Sequence, residues 1–419
     1  MRSFRRFVTA IVVLIAFPTC LVFAQTSTAT ILGVVKDTSG ALVPGVSITV
    51  KHTESGLTRT VVSGERGGYN VPLLPVGAYE ITTTMPGFKQ QVRSGINLVV
   101  GQEAVLDLTL EVGAVGEQVT VTEEAPLVNT TTSSTSGVIT EQQVKELPLN
   151  GRSFDQLITL NVGVSNATSN TLDSGNWNMF SVAGKRPETN RFIINGIDWV
   201  GGNANGQYIT PEGASRQMLG VEAVREFNVL TATYSAEYGK RAGGQINIVT
   251  TSGTNQLHGS AFEYLRNNAL DARNFFDQTD GAPPFKRNQF GGALGGPLKK
   301  DKMFAFGTYE GFQERLSRSS ASIVPGAFAR QGLAWPGNSL GPNGSPVPVG
   351  SPVPGLQPAM LKYANAFWPA PSTPDRPDGS AIAYANPPQK IGESFGLGRF
   401  DYVISTKDSF YGNLTVDNG

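Results

Sequence analysis

The side chains that usually carry catalysis are scarce and scattered. His52 and His258 are the two histidines, and Cys20 is the one cysteine. A zinc site draws three or four nitrogen and sulfur ligands from close spacings, and these residues do not supply them. No carboxylate pair and no nucleophile–base pair has a recognisable spacing. No catalytic residue, metal ligand or cofactor is therefore expected. The glycine-rich stretch 239–244 invites comparison with a phosphate loop. Lys240 follows its first glycine directly and no Ser or Thr comes after the lysine, so the GxxxxGK[ST] form is missing. The stretch does concentrate charge, in Glu237, Lys240 and Arg241. That cluster reads either as a latch of ion pairs or as a solvated turn.

A second kind of chemistry needs only backbone. Residues 113–140 are rich in Gly, Glu, Thr and Ser and read as a flexible linker. Within it, Gln118, Val119, Thr120, Val121 and Thr122 form a short run of extended-chain formers. Such a run can offer its backbone groups to the edge of another sheet. It can equally be the last strand of the sheet that precedes it.

The composition fits elements of this kind. The chain has 419 residues, 33 basic and 33 acidic side chains, 49 Gly and 26 Pro, and only 16% charged residues. Too few cysteines exclude a disulfide scaffold. The absent basic excess argues against nucleic acid as a partner. High glycine with few charges suits an all-β protein or a membrane β-barrel. Arg2, Arg5 and Arg6 precede an uncharged apolar run from Phe7 to Val22, and Ala24 is a small residue placed for cleavage. Residues 1–24 thus read as a secretory signal peptide. A membrane anchor is the alternative, but the run is short and Pro18 interrupts it. No later stretch has the length of a membrane helix, so membrane contact would fall to β-structure.

Residues 25–112 read as a small β-sandwich. Ile31 to Val35, Val46 to Val50 and Thr58 to Val62 are strand candidates, and Ala104 to Val112 alternates as one strand with one buried face. Residues 141–255 read as a compact α+β region. Gln142–Leu147, Phe154–Leu160 and Val221–Phe227 are helix candidates, and Asn195-Gly196 is a hairpin turn. From 256 onward aromatic density doubles, with ten Phe or Tyr by residue 312. Strands are expected on both sides of the charged turn at 299–302. Residues 325–388 hold 14 of the prolines and read as a long irregular loop.

Two resemblances then emerge. Gly33-Val34-Val35, Pro44-Gly45-Val46, Gly68-Tyr69, Leu74-Pro75-Val76-Gly77-Ala78-Tyr79 and Pro86-Gly87-Phe88 resemble the carboxypeptidase regulatory-like domain, a transthyretin-like sandwich. Leu147-Pro148-Leu149-Asn150-Gly151-Arg152, Asn195-Gly196-Ile197-Asp198 and Tyr234-Ser235-Ala236-Glu237-Tyr238-Gly239 resemble the plug domain of TonB-dependent outer-membrane receptors. So does Gly243-Gly244-Gln245-Ile246-Asn247-Ile248-Val249-Thr250 with Ser252-Gly253-Thr254-Asn255. The order of regions resembles the Oar-like branch.

The resemblance implies a mainly β chain: a transthyretin-like β-sandwich, an α+β plug domain at 141–255, then the first strands of an incomplete transmembrane β-barrel at 256–419. It implies a receptor that binds a scarce large solute and moves it across the outer membrane, with outer-membrane lipid and the energy-transducing protein TonB as partners. Gln118–Thr122 would be the Ton box that TonB grips, and Glu237, Lys240 and Arg241 a latch between plug and barrel wall. Only about five barrel strands can be drawn where such a barrel closes with about 22. The chain is therefore expected to be the N-terminal part of a longer protein. Two rival readings remain at this stage: a surface adhesion or binding protein, and a peptidase-associated module.

Overall fold

A computed structural model describes residues 28–113, 118–122, 135–167, 179–202, 208–234, 238–272, 282–317, 320–337, 340–341, 343–385, 387–406 and 408–419. The chain is mainly β. It divides into two compact units. One holds the described residues up to Ala261 with Gly292–Tyr309 and Phe395–Asn418, and the other holds Phe262–Gly291 and Glu310–Ser394.

The first unit begins with a sandwich. Its strands are β1 (Ala29–Asp37), β2 (Ser47–His52), β3 (Thr58–Val62), β4 (Gly68–Leu74), β5 (Gly77–Thr84), β6 (Gln90–Leu98), β7 (Glu103–Val105), β8 (Leu108–Leu110) and β9 (Gln118–Thr122). One sheet runs β4-β1-β7, with β8 also on β1, and the other runs β3-β2-β5-β6-β9. β5 alternates buried and half-buried residues along its whole length, as a strand with one face on a core must. Ile31, Val35, Ile48, Val50, Ile81 and Ile96 from the two sheets meet there. Gly33 cannot carry a side chain, because a Cβ would lie 2.1 Å from the Leu106 carbonyl oxygen.

The single strand expected over Ala104–Val112 is broken in two. Ala104, Leu106, Leu108 and Leu110 are buried as the alternation requires, but Val112 is exposed. Asp107 causes the break: its Oδ1 accepts from Val34 N at 3.0 Å, so a side chain takes a bond that a ladder would use.

The plug region follows with β10 (Thr135–Ile139) and helix α1 (Glu141–Glu146), then 3-10 turns at Asn150–Arg152 and Phe154–Leu160. Thr140 and Gln143 form a reciprocal capping box that starts α1. β11 (Val164–Asn166) pairs β12 (Phe180–Val182). After β13 (Arg191–Ile194) and β14 (Ile197–Trp199), β15 (Gly201–Gly202) pairs β16 (Tyr208–Ile209), and β17 (Val224–Ala232) and β18 (Gln245–Thr250) complete the region. The central sheet runs β10-β17-β18-β13-β14. Asn195 and Gly196 take φ of 48° and 85°, the two left-handed positions of a two-residue hairpin turn.

The helix expected over Val221–Phe227 is instead one 3-10 turn at Val221–Ala223 leading into β17. Nearly every residue of β17 is buried, because the strand is covered on both faces. Such a strand lacks a period of two, and the apolar residues then fall at helical spacing by coincidence.

Five long strands form a further sheet in the order β19-β20-β21-β24-β25: β19 (His258–Asn267), β20 (Phe285–Lys299), β21 (Met303–Ser317), β24 (Pro388–Val403) and β25 (Ser409–Asn418). β22 (Ser320–Pro325) and β23 (Ser380–Ala385) pair between β21 and β24 in the chain. On β25, Phe410, Leu414 and Val416 are exposed.

The second unit corrects the expectation of an irregular loop at 325–388. That segment is a small folded lobe on the β22–β23 pair, with Val324, Ala381 and Ala383 as its core. It carries helices α2 (Ala327–Gln331) and α3 (Pro358–Phe367). Asp375 accepts from the first amides of α2, Ala327 N at 2.6 Å and Phe328 N at 2.9 Å. Arg330 donates to the carbonyls of Trp368 at 2.6 Å and Pro369 at 2.7 Å, just past the end of α3. Prolines excluded long regular elements, while these two side chains satisfied the helix ends. Among the described residues no helix is long and apolar enough to cross a membrane, which says nothing of strands.

Candidate functional site

Gln118–Thr122 is β9, the outermost strand of the second sandwich sheet. It pairs in parallel with β6, with Gln90 opposite Gln118 and Ser94 opposite Thr122. The segment thus stands where a last sandwich strand would stand. Among the described residues it is the end of the sheet order, with one ladder rather than two. The end of a sheet is where a further strand can add.

Two members of the charged cluster, Lys240 and Arg241, are among the described residues. Lys240 pairs with Asp198, and Arg241 Nη1 donates to the Asn190 carbonyl at 2.9 Å. Both partners belong to the plug region. Asp198 also receives Arg191 Nε at 2.6 Å. Burial pushes the Asp198 carboxyl up, but Lys240 and Arg191 outweigh it and hold it below its ordinary range. Glu237 lies outside the described residues, as does Ala24 with the whole signal-peptide segment.

The plug motifs find their purpose inside the plug. Gly151 and Arg152 take left-handed φ of 74° and 55°. That turn carries Arg152 inward to Glu222, Nη2 to Oε1 at 2.9 Å, with both side chains buried. Lys145 of α1 lies 3.7 Å from the other carboxylate oxygen. Asn195 ties the hairpin turn to β18 by donating to Thr250 Oγ1 at 2.8 Å and accepting from Thr250 N at 3.0 Å.

On the long strands, the contacts to the plug come from Ser260, Phe395, Arg399 and Tyr411, none of them a candidate site residue of the sequence. Ser260 donates to Glu222 at 2.7 Å. Arg399 donates to the Thr250 carbonyl at 2.8 Å, and Tyr411 Oη donates to the Asn195 carbonyl at 2.9 Å. Gly220, at φ 90°, admits the Phe395 ring where a Cβ would lie 2.3 Å from it.

A joint between sandwich and plug was also missed. Arg225 grips Glu54 with two bonds, Nη2 to Oε1 at 2.8 Å and Nη1 to Oε2 at 2.9 Å. Burial raises the Glu54 carboxyl, but Arg225 more than offsets this and keeps it below its ordinary range. Beside it Glu226 accepts from Val100 N at 2.5 Å, and Asn228 Nδ2 donates to Val100 O at 3.3 Å. Val76, Val100 and Val249 close a small apolar patch between them. Burial pushes the Glu226 carboxyl up to about 7. Burial also lowers His52, which lies beneath Tyr79 with ring centroids 4.9 Å apart. Val100 comes two residues after β6, the strand that holds β9. No signal in the sequence joins Glu54 to Arg225, which are 171 residues apart. Among the described residues no group of His, Cys, Asp and Glu could hold a metal.

Comparison with known families matches three regions of the chain and leaves β9 between two of them. Residues 30–111 match the carboxypeptidase regulatory-like domain, 127–245 the TonB-dependent receptor plug domain, and 249–419 the outer membrane beta barrel domain. The TonB-dependent transporter Oar of Myxococcus xanthus is 30% identical over 301 residues, covering 68% of this chain and 26% of the relative. The probable TonB-dependent siderophore receptor PirA of Acinetobacter baumannii is 25% identical over 202 residues, covering 47% of this chain and 25% of the relative. The crystal structure of the outer membrane transporter YddB of Escherichia coli aligns at a TM-score of 0.40 and 14% identity, covering 68% of this chain and 32% of that one. The chain spans about a quarter of the length of the curated relatives it matches. These relatives are transporters and receptors, not enzymes.

Proposed function

From the premise that the chain belongs to the TonB-dependent outer-membrane receptors, we propose that it serves a receptor which binds a scarce large solute and admits it through a plugged barrel, and that Gln118–Thr122 is the strand TonB grips. The family match supports the outer membrane as its location. A signal peptide ending at Ala24 supplies the export route this reading needs.

One observation carries the assignment of the strand: β9 is a five-residue extended segment at the end of a sheet, placed between the sandwich and the plug. Recognition by strand addition relies on backbone hydrogen bonds and makes few demands on side chains. Among the described residues β9 pairs in parallel with β6 at the end of the sheet order, the position from which strand addition by a partner would extend the sheet. A pull on β9 would pass to β6, and from β6 to Val100 and its bonds with Glu226 and Asn228. In this way a grip on the sandwich edge reaches the plug.

The test uses the complete protein with Val119→Pro and Val121→Pro. Proline removes backbone donors and is poorly accepted inside a sheet. Binding to the periplasmic domain of TonB, followed by surface-immobilised titration, should weaken by at least about tenfold, the equivalent of ~1.4 kcal/mol. Unchanged binding would remove the assignment.

A further inference from the structure

A cleft of about 550 Å³ opens within the second unit, across the ends of β19, β20, β21 and β24. Three of its cations fall in neighbouring strands. Ser317 N donates to Pro284 O, and counting two residues inward along each strand sets Lys286 opposite Arg315. Lys390 lies on β24, next to β21, and lines the same cleft. All three are exposed, and none forms an ion pair with a carboxylate among the described residues. The other two cations of the cleft are already engaged, Arg266 with Asp271 at 3.1 Å and Arg287 with Glu314 at 2.6 Å. Asn288 and Gln313 add amide groups one row further along the strands.

Like charges set opposite each other on neighbouring strands destabilise a sheet. An anion between Lys286, Arg315 and Lys390 would reverse that cost. The face decides which anion. On β21 Glu310, Phe312 and Glu314 are buried, while Gln313 and Arg315 are exposed. Arg315, Gln313 and the residues opposite them therefore lie on the face of the sheet opposite the buried Arg287–Glu314 and Gln289–Glu310 contacts, the first of which borders the cleft from the other side. In a membrane barrel the polar side faces the lumen and the other faces lipid. Leu265, 68% exposed, borders the cleft as an apolar neighbour suited to acyl chain. We infer that Lys286, Arg315 and Lys390, with Asn288 and Gln313, form a site for the phosphate of an anionic lipid headgroup. This rests on the outer-membrane reading above.

The test uses the complete protein, purified in a non-ionic detergent, with short-chain phosphatidic acid as probe. Phosphatidylcholine of the same chain length and inorganic phosphate are the comparisons, and bound lipid is counted by native mass spectrometry. Three cations at roughly 1 kcal/mol each correspond to about a hundredfold in affinity. The variant Lys286→Gln/Arg315→Gln/Lys390→Gln should lose about that much for phosphatidic acid and nothing for phosphatidylcholine. The charge-keeping variant Lys286→Arg/Arg315→Lys/Lys390→Arg should bind like the wild type, which separates a charge effect from misfolding. Equal phosphatidic acid binding by wild type and the Gln variant would overturn the site. Displacement by inorganic phosphate at the same concentration would overturn the lipid and leave a free anion. Fractionation of cells keeps the premise separate: a complete protein absent from the outer membrane defeats that reading, whatever the binding result.

Discussion

The plug and the strand β9 are close in the chain and are held by opposite physics. The plug is tied from within by side chains. Arg152 and Glu222 are buried and paired at 2.9 Å, Asn195 is bonded twice to Thr250, and Asp198 is shared by Arg191 and Lys240. β9 is held through its backbone, by one parallel ladder on β6. A buried charge pair resists partial opening, because either partner alone is an uncompensated charge in low dielectric. A backbone ladder at a sheet edge can be extended or exchanged residue by residue with any other strand. On the proposed function, the difference separates a body that stays closed from a segment that stays available.

The comparison breaks most easily at Arg152. Arg152→Ala leaves Glu222 buried without its closest cation and should cost about 3–5 kcal/mol. Hydrogen exchange in the complete protein should show the loss in β10, β17 and β18, with β9 unchanged. Comparable deprotection of β9 would mean that plug and strand open together. Ile81→Ala is the next largest. It empties a fully buried position at the centre of the sandwich and should cost about 2–5 kcal/mol. Here β6 and β9 should lose protection together, since the ladder needs an ordered β6. The plug should lose only what the joint at Val100 transmits.

Local chemistry made much of this legible in the sequence. The Asn195-Gly196 turn could be read because a two-residue hairpin demands left-handed backbone, which these residues accept. The sandwich strand β2 could be read because it faces a core on one side. The order of motifs was enough to imply a plug. Three things were not legible, each for a physical reason. β17 is covered on both faces and has no alternation to read. The lobe at 325–388 depends on Asp375 reaching α2 and Arg330 reaching past α3, contacts 48 and 39 residues apart. The joint of Glu54 with Arg225 spans two domains, and neither residue sits in a distinctive local pattern.

Glu226 sharpens the contrast through pH. Its carboxyl is raised to about 7 in the folded protein by burial, so folding favours its protonated form. Its contribution is fully present below the ordinary carboxyl range and is lost as pH rises from there through about 7. Glu226→Gln keeps an acceptor for Val100 N and cannot ionise. The variant should gain on the wild type between pH 5 and pH 8, by about 1–3 kcal/mol, in thermal unfolding of the sandwich–plug unit. A gap that does not change with pH would mean that the joint is wet enough to hold the carboxylate.

Lys240 carries the smallest expected effect, and the most informative one about the latch. Its side chain is 67% exposed although it meets Asp198. Exposed pairs contribute ~0–1 kcal/mol because water screens them and the side chains lose freedom. Asp198 retains Arg191, whose side chain is buried, so it is not left without a cation. Lys240→Gln should therefore shift plug stability by less than about 1 kcal/mol, and the shift should shrink as salt rises. A latch to the barrel wall predicts something else: the plug would loosen from the long strands while its own sheet stayed intact. Proteolysis of the folded complete protein distinguishes the two. Faster cleavage between plug and barrel in Lys240→Gln, with unchanged exchange in β17 and β18, would restore the latch. Unchanged cleavage leaves Ser260, Arg399 and Tyr411 as the residues that bind the plug to the strands.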